Sequence, residues 1–209
     1  MEATAGPEAV VEVGVREKLL AAATALFARK GYAATTVREI VEAAGVTKPA
    51  LYYYFRSKEG IFLRMMEDAF REYEATVARA LAAPGTASER ILRFLDAVFA
   101  LVLDHLDVMR VVDGVYYGPP QGAPFFDFEV IHRSFIGALT GLVGEGMASG
   151  EFRPGSAEDT AWAIVGSFEV VRGMSLCHPE AGFDRATLAR LVGVVLRGVL
   201  AGDAKELVP

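Results

Sequence analysis

Two pairs of side chains in the sequence are of types that could carry out chemistry. Glu129 and His132 are three residues apart, so on a helix they share one face. This spacing is half of the Glu-x-x-His pattern of helical di-iron proteins. A complete site needs a second such pair and further glutamates, and neither His105 nor His178 has a glutamate three residues before it. We therefore expect a polar contact or a polar point in a pocket, with no metal and no cofactor.

The second pair is Cys177 and His178, a thiol beside a possible base. Adjacent residues of a helix point in different directions, so this arrangement suits a nucleophile poorly and predicts a half-buried thiol. The sequence also lacks the Gly-x-Ser-x-Gly motif and the phosphate-binding Gly-x4-Gly-Lys-Ser/Thr motif. These observations make an enzyme the less favoured function class. A helical adaptor that does not bind DNA is a further alternative.

A third group of residues has the types and spacing of a nucleic-acid contact. Two short helical segments are separated only by Gly45-Val46-Thr47, and such a turn is typical of a helix-turn-helix. This motif presents the first residues of its second helix to the major groove of DNA. Here they are Thr47, Lys48, Pro49 and Ala50. Lys48 can donate to guanine or phosphate, while Pro49 and Ala50 can touch a thymine methyl group.

Three consecutive tyrosines follow in the same segment, Tyr52, Tyr53 and Tyr54. Neighbouring residues of a helix lie about 100° apart, so the three rings cannot all face one core. An outward ring in a basic segment favours DNA, where the hydroxyls of Tyr53 and Tyr54 can bind phosphate oxygens. Lys58, at the next helix start, adds positive charge beside N–H groups that favour anions. The alternative is an ordinary helix hairpin whose tyrosines are core residues.

Charge is unevenly distributed along the chain. Residues 15–64 contain nine basic and four acidic residues, a net +5, and the whole chain carries −6, which leaves −11 for the rest. This asymmetry favours a polyanionic partner at one end and a different task for the remainder. A single cysteine excludes an intrachain disulfide framework. The first fifteen residues hold no apolar block, and the longest uncharged stretch is well short of the roughly 20 residues of a spanning helix, so we expect a cytoplasmic protein with no membrane partner.

The hydrophobic spacing is helical throughout. Apolar residues recur at three- and four-residue intervals from Leu19 onward, without a sustained period-two run. Thr36 and Glu39 form a capping-box pattern, Pro49 suits a first helical turn, and Ser57 can cap a long fourth helix. The sequence thus predicts an all-α protein of about nine helices.

Three regions follow from this pattern. We expect a flexible tail at residues 1–14, a helix-turn-helix DNA-binding domain at 15–63, and a larger helical domain for ligand binding and dimerisation at 64–209.

The segment around the turn closely resembles the DNA-binding domain of the TetR family of bacterial regulators. The similarity covers about residues 16–63, and beyond it only the number and length of helices agree. It implies a homodimeric repressor that a small molecule releases from its operator. The residues that carry it are Thr35-Thr36-Val37-Arg38-Glu39-Ile40, Ala44-Gly45-Val46-Thr47-Lys48-Pro49-Ala50-Leu51-Tyr52-Tyr53-Tyr54-Phe55-Arg56-Ser57-Lys58-Glu59, Phe62 and the preceding Ala28-Arg29-Lys30-Gly31-Tyr32.

Carried over by position, the resemblance implies a set of contacts to double-stranded DNA. Thr36 looks like a helix cap that can also reach phosphate. Tyr54 stands where the family often has histidine, which keeps a hydrogen-bond donor but changes the spacing to the DNA backbone. The implied contacts are Arg38, Thr47, Lys48, Pro49, Ala50, Tyr52, Tyr53 and Lys58.

Two C-terminal helical segments have the composition of a dimer interface. One mixes large apolar residues with glycines that permit close approach, and the other carries a wide apolar stripe. Paired across a two-fold axis they would form a four-helix contact, which predicts a homodimer on a palindromic operator. The alternative is that they only close their own domain. The candidate interface residues are Val165, Gly173, Leu188, Leu191, Val192, Val195 and Val199.

The central helices hold more large apolar residues than one helical stripe needs, with a few polar groups among them. This combination is usual in a small-molecule site and favours an apolar or aromatic inducer. The alternative is a plain packed core, and Trp162 could instead lie at the dimer seam. The candidate ligand residues are Phe99, His105, Met109, Tyr117, Phe128, His132, Phe135, Trp162, Glu169 and Arg172.

Overall fold

The computed structural model describes residues 7–120 and 122–201, and side chains from residue 14 onward. Within these ranges the chain forms nine α-helices and one 3₁₀ turn, and the only extended pairing is an isolated bridge between Phe152 and Leu200. The all-α prediction is confirmed. The helices are α1 (Pro7–Lys30), α2 (Val37–Ala44), α3 (Lys48–Phe55), α4 (Lys58–Ala82), α5 (Ala87–Asp104), α6 (Leu106–Tyr116), α7 (Phe128–Ser149), α8 (Ala157–Cys177) and α9 (Arg185–Val199).

The first helix begins earlier than the sequence led us to expect. Residues 7–14, expected as part of a flexible tail, belong to α1, and residues 1–6 of that segment lie outside the described residues. Pro7 occupies the first helical position, where a missing backbone N–H breaks no intrahelical bond.

Contacts divide the chain into two units. The first contains the described residues up to Arg71 together with His105–Phe126, and the second contains Glu72–Asp104 and the described residues from Asp127 onward. Helix α6 therefore groups with the N-terminal helices, and α4 contributes to both units. We expected a boundary after residue 63 because the helix-turn-helix motif ends there. The contacts instead extend the first unit to Arg71 and add α6 to it, because α6 packs on α1.

The first unit is organised around α1. Helices α2, α3 and α6 all contact it. At its centre the rings of Phe27, Tyr32 and Phe62 form a triad, with centroids 5.3 Å apart for Phe27–Tyr32, 5.2 Å for Tyr32–Phe62 and 6.2 Å for Phe27–Phe62. All three side chains are buried, so the triad anchors the end of α1 to the first turns of α4.

The second unit packs α7 and α8 together, with α5 and α9 also in contact. Four phenylalanines form its aromatic core: Phe94 lies 5.4 Å from Phe135, Phe135 5.0 Å from Phe168, and Phe168 6.2 Å from Phe99. All four side chains are buried.

Residues 151–153 join the ends of three helices in this unit. The Glu151 carboxylate accepts hydrogen bonds from the backbone N–H groups of Ala87 (2.6 Å) and Ser88 (2.9 Å), which caps α5. Phe152 lies against Gly146, where an added Cβ would come within 2.3 Å of the ring. Backbone bonds from this segment also reach the end of α9. No described helix is both long and apolar enough to cross a membrane.

Candidate nucleic-acid interface

Helix α2, which leads into the turn before α3, has a defined cap at each end. At the start of α2 the Thr36 hydroxyl accepts from the Glu39 N–H (3.3 Å), and the Glu39 carboxylate accepts from the Thr36 N–H (2.9 Å), so the capping box predicted from the sequence is present. At the other end Gly45 has φ +66°, a left-handed conformation that glycine adopts without a Cβ clash. The capping box therefore sets where α2 begins, and Gly45 ends α2 at the turn that leads to α3.

Helix α3 is held by two buried side chains one turn apart. Leu51 is fully buried and Phe55 is 6% exposed. Thr47 is the N-cap residue, yet its side chain makes no capping bond, and Pro49 lies in the first turn. An eight-residue helix attached in this way presents its opposite face and its N-terminus outward.

The residues expected to contact DNA occupy that outward surface. Thr47, Lys48 and Pro49 are exposed, and Ala50 is half-buried. The first turn of α3 is therefore accessible, as an element that enters a DNA groove must be.

None of the three tyrosines is a core residue. Tyr52 is 50% exposed, Tyr53 is 72% exposed, and Tyr54 is half-buried with its ring edge-to-face against Tyr53 at 5.0 Å. A tyrosine of such exposure in a monomeric domain lacks a packing explanation and suits an interface. The hairpin with core tyrosines therefore does not describe this segment.

Thr36 and Arg38, at the start of α2, are also exposed. Thr36 is engaged in the capping box, so any contact it makes to phosphate adds to that role.

Lys58 has surroundings that the sequence did not indicate. Its ammonium donates to the backbone carbonyls of Tyr32 and Thr35, each at 2.8 Å, and lies 4.1 Å from the centre of the Tyr32 ring. Burial lowers the pKa of this ammonium, and nearby Lys30 lowers it further. The structure thus places Lys58 on the protein's own backbone, although the motif implied a DNA contact.

Sequence reasoning did not single out two residues of the corner between α3 and α4. Arg56 has φ +62°, the only positive φ among the described non-glycine residues, and its side chain is exposed. At Gly60 an added Cβ would lie 1.9 Å from the carbonyl oxygen of Phe55, so only glycine fits this close approach. Ser57 caps α4 by accepting from the Gly60 N–H at 3.0 Å, as the sequence predicted.

The interface carries one well-defined ion pair at its edge. Lys30 donates to the Glu39 carboxylate at 2.5 Å. The hydrogen bonds from Lys30, and then those from Thr36, hold the pKa of Glu39 down to about 2. Glu39 is therefore ionised at neutral pH, and its carboxylate both binds Lys30 of α1 and caps α2.

The catalytic and metal-binding alternatives gain no support from the geometry. No three His, Cys, Asp or Glu side chains of the described part of the chain come together in a group that could hold a metal ion. Cys177 is exposed where we expected a half-buried thiol, because it ends α8, and the His178 ring pairs with Glu180 at 3.2 Å. His132 lies 5.7 Å from the Trp162 ring.

The expected ligand residues fall into both units. His105, Met109 and Tyr117 belong to the first unit. The others belong to the second, where Phe99 and Phe135 are buried in the aromatic core and Phe128 and His132 are half-buried. The buried guanidinium of Arg172 pairs with half-buried Glu169 at 2.7 Å, and Trp162 is 46% exposed.

The expected dimer residues are divided between core and surface. Val165, Leu188 and Val192 are buried in the chain's own core because α8 and α9 pack on each other and on α5, so we withdraw these three as interface residues. Gly173, Val195 and Val199 are half-buried, and Leu191 is exposed. Two further apolar residues of α8 and α9 are exposed, Val170 at 55% and Val194 at 61%.

Known proteins of similar sequence identify the family. Residues 19–65 match the family described as bacterial regulatory proteins, tetR family. The HTH-type transcriptional repressor KstR2 of Rhodococcus jostii (strain RHA1) is 30% identical over 164 residues, covering 73% of this chain and 78% of that protein. The chain belongs to the TetR family.

Solved structures agree with this assignment. A TetR-family regulatory protein from Rhodococcus RHA1 has a TM-score of 0.68 at 26% identity, covering 90% of this chain and 98% of that one. A γ-butyrolactone receptor has a TM-score of 0.70 at 20% identity over 94% of each chain, which shows a common fold. This TetR-family protein is therefore a DNA-binding transcriptional regulator of the helix-turn-helix class.

The lowered pKa of Glu39 makes the first unit of this TetR-family protein sensitive to acid. A carboxylate whose pKa is lower in the folded state than its ordinary 4.5 stabilises the fold above pH 4.5, and this contribution is lost as the pH falls toward 2. We expect Glu39→Gln to lower the Tm near pH 7 and to approach the wild-type Tm near pH 2. Thermal unfolding followed by circular dichroism from pH 2 to 7 measures this.

Glu42→Gln, at an exposed site on the same helix, controls for the change in net charge. A Tm difference between wild type and Glu39→Gln that stays constant over the whole pH range would contradict the assignment.

Proposed function

We propose that this regulator is a homodimeric repressor that binds a palindromic operator through α3 and is released from it by a small apolar or aromatic molecule. The observation that carries the DNA-binding part is the accessible first turn of α3, with exposed Thr47, Lys48 and Pro49 and the exposed ring of Tyr53. Repression is supported by the relative that is itself named a transcriptional repressor. A dimer bound across a promoter excludes polymerase without any further activity.

The proposed contacts divide into base-reading and backbone-positioning residues. Lys48, Pro49 and Ala50, with Thr47 before them, face the base edges of the major groove, where a lysine can donate to guanine and apolar groups can touch the thymine methyl.

On either side of these residues the proposed contacts are to phosphates. Tyr52, Tyr53 and Tyr54 supply hydroxyls, and Arg38 and Thr36 approach the sugar-phosphate backbone from α2. Tyr54 is half-buried, so its hydroxyl reaches less far than that of Tyr53. We leave Lys58 out of this set because two of its three donors are already engaged by the protein's own carbonyls.

The proposed dimer uses the exposed flanks of α8 and α9. On α8 the exposed residues include Gly166 and Val170, and an added Cβ at Gly166 or Gly173 would meet nothing within 4 Å. Open space beside small residues permits another helix to approach closely.

On α9 the buried positions Leu188, Val192 and Leu196 define the inward face. Leu191 and Val194 lie together on one flank of that face and are 37% and 61% exposed. An apolar flank of this kind next to the exposed α8 residues supports a two-fold contact between copies.

The proposed inducer binds in the second unit, next to the aromatic core of α7 and α8. Phe135 joins that core, while His132 and Trp162 are partly accessible, with their rings tilted by 41° and their centroids 5.7 Å apart. The Arg172–Glu169 pair provides the charged groups that a ligand with one polar end would meet. The ligand must bind the DNA-incompetent state more tightly, because equal affinity for both states shifts nothing.

We further propose that the protein acts by binding alone, without catalysis. A regulator of a bacterial chromosome acts in the cytoplasm, where its operator is.

The DNA surface is tested by two substitutions at exposed residues of α3. We expect Lys48→Ala and Tyr53→Ala each to lose about 1–3 kcal/mol of operator binding without loss of fold. Electrophoretic shift on the DNA upstream of the protein's own gene, or on fragments selected by the purified protein, measures this. Arg133→Ala removes one exposed positive charge from the second unit and should leave the affinity unchanged. Wild-type affinity in both α3 variants, with native circular dichroism, would refute the proposed surface.

The dimer surface is tested by placing a charge on the apolar flank of α9. Leu191→Asp and Val194→Asp should convert the dimer to a monomer at micromolar concentration, because an aspartate would be desolvated in an apolar contact. Light scattering measures the mass. Ala189→Asp adds the same charge on the opposite, exposed flank and should stay dimeric. A monomeric wild type, or dimeric Leu191→Asp and Val194→Asp variants, would contradict the proposal.

The inducer site is tested by ligand titration against operator-bound protein. With benzoate, cinnamate and decanoate as probes, we expect at least one to change Trp162 fluorescence and to release DNA. His132→Ala and Phe135→Leu should raise the half-releasing concentration about tenfold while operator affinity stays the same. Leucine is chosen because Phe→Ala in a core costs about 3–5 kcal/mol. His178→Ala, at an exposed site in the same unit, is the control. Unchanged release in both variants by a probe that releases wild type would place the pocket elsewhere.

A further inference from the structure

Lys58 begins α4, and two of the three donors of its ammonium are occupied by the protein itself. A lysine ammonium has three N–H donors. Two of them go to the carbonyl oxygens of Tyr32 and Thr35 at 2.8 Å each, and the nitrogen lies 4.1 Å from the centre of the Tyr32 ring. Moving the ammonium outward to a DNA phosphate would break both hydrogen bonds and take it off the ring face.

The two carbonyls belong to the segment that joins α1 to α2, and that segment is itself rigid. Thr35 is buried, and its hydroxyl donates to the Gly31 carbonyl at 2.8 Å. Tyr32 is fixed in the aromatic triad with Phe27 and Phe62. Lys58 therefore binds a firm structure directly before α2.

The residue that follows this segment is Thr36, the N-cap of α2. Arg38 lies two residues further, in the first turn of that helix. Whatever fixes the carbonyl of Thr35 also fixes where these two side chains stand relative to α3, because the first turn of α4 carries Lys58 and directly follows α3 in the chain.

We propose that Lys58 is a positioning residue of the DNA-binding unit: it ties the segment 31–35 to the first turn of α4 and so sets the place of Thr36 and Arg38, without itself binding phosphate. The proposal rests on the DNA surface proposed above. It predicts that loss of Lys58 weakens operator binding through Arg38 and not through a lost ion pair of its own.

The first test reads the ammonium directly in the wild-type protein. The ¹H–¹⁵N signal of the Lys58 side chain is recorded by nuclear magnetic resonance in the free protein and in its complex with an operator duplex. We expect a slowly exchanging, hydrogen-bonded ammonium signal that keeps its chemical shift when DNA is added. A signal that moves on complex formation and shows coupling to a DNA phosphorus would overturn the proposal.

The second test is a double-mutant cycle of Lys58→Met and Arg38→Ala. Methionine keeps the length and apolar stem of lysine and removes the donors. Lys58→Met should raise the operator Kd about tenfold in the wild-type background and by less than twofold in the Arg38→Ala background, because its effect operates through Arg38. Lys18→Met, at an exposed site on α1, removes the same charge and should leave Kd within twofold of wild type.

A direct phosphate contact would give a different result in this cycle. Lys58→Met would then raise Kd by the same factor in both backgrounds, and the slope of log K against log salt would fall by about 0.9 in both. That outcome overturns the proposal.

Failure of the proposed DNA surface is recognised separately. It would appear as unchanged operator affinity in the Arg38→Ala, Lys48→Ala and Tyr53→Ala variants. The resonance experiment needs no variant, so it still tests whether Lys58 binds phosphate if Lys58→Met does not fold.

Discussion

An eight-residue helix cannot persist on its own in water, and the DNA-binding surface of this protein depends on that constraint. Helix α3 exists because Leu51 and Phe55 are buried against its neighbours, with α1 and α2 both in contact with it. Two inward side chains one turn apart fix both the position and the rotation of α3. Between them Tyr52 and Tyr53 are displayed outward, and Tyr54 is half-buried. The aromatic triad of Phe27, Tyr32 and Phe62 gives this arrangement its firm base.

In the first unit apolar burial holds the helices together, and polar interactions define where the helices begin. The capping box of Thr36 and Glu39 sets the start of α2, and the ion pair from Lys30 ties that start to α1. The close approach at Gly60 sets the corner between α3 and α4, because a side chain there would meet the Phe55 carbonyl. These contacts are individually small, but each fixes an angle between helices that must match the geometry of a DNA groove.

The second unit is likewise held together by buried aromatic rings and a helix cap. Its four phenylalanines form a continuous apolar core, and the Glu151 carboxylate caps α5 from a distant part of the chain. Burial disfavours the charged form of Glu151, yet hydrogen bonds from Ser88 and Ala87 lower its pKa below the ordinary value. The exposed apolar flanks of α8 and α9 have no role in this core, which is why they are the surface we assign to a second copy.

Local signals in the sequence are sufficient to predict the class of this protein. Helical periodicity, the capping box and Pro49 are such signals, so they predicted the all-α class and the helix-turn-helix without knowledge of the fold. The short spacing around Gly45 also predicted which residues of α3 would be displayed. The tail was the exception, because the apolar periodicity that marks α1 in the sequence starts only at Leu19, although Pro7 suits a first helical position.

Whether side chains with similar local patterns are buried or exposed depends on contacts between distant parts of the chain. Leu188 and Leu191 have the same side chain on one helix, yet Leu188 is buried in the core and Leu191 is exposed, since neighbouring helices cover only one flank of α9. Lys48 and Lys58 are both basic residues at the start of a helix. Lys48 is exposed, whereas Lys58 meets carbonyls 23 and 26 residues away in the chain. Sequence spacing reports neighbours within a helix, and contacts across such a distance arise only when the chain folds back on itself.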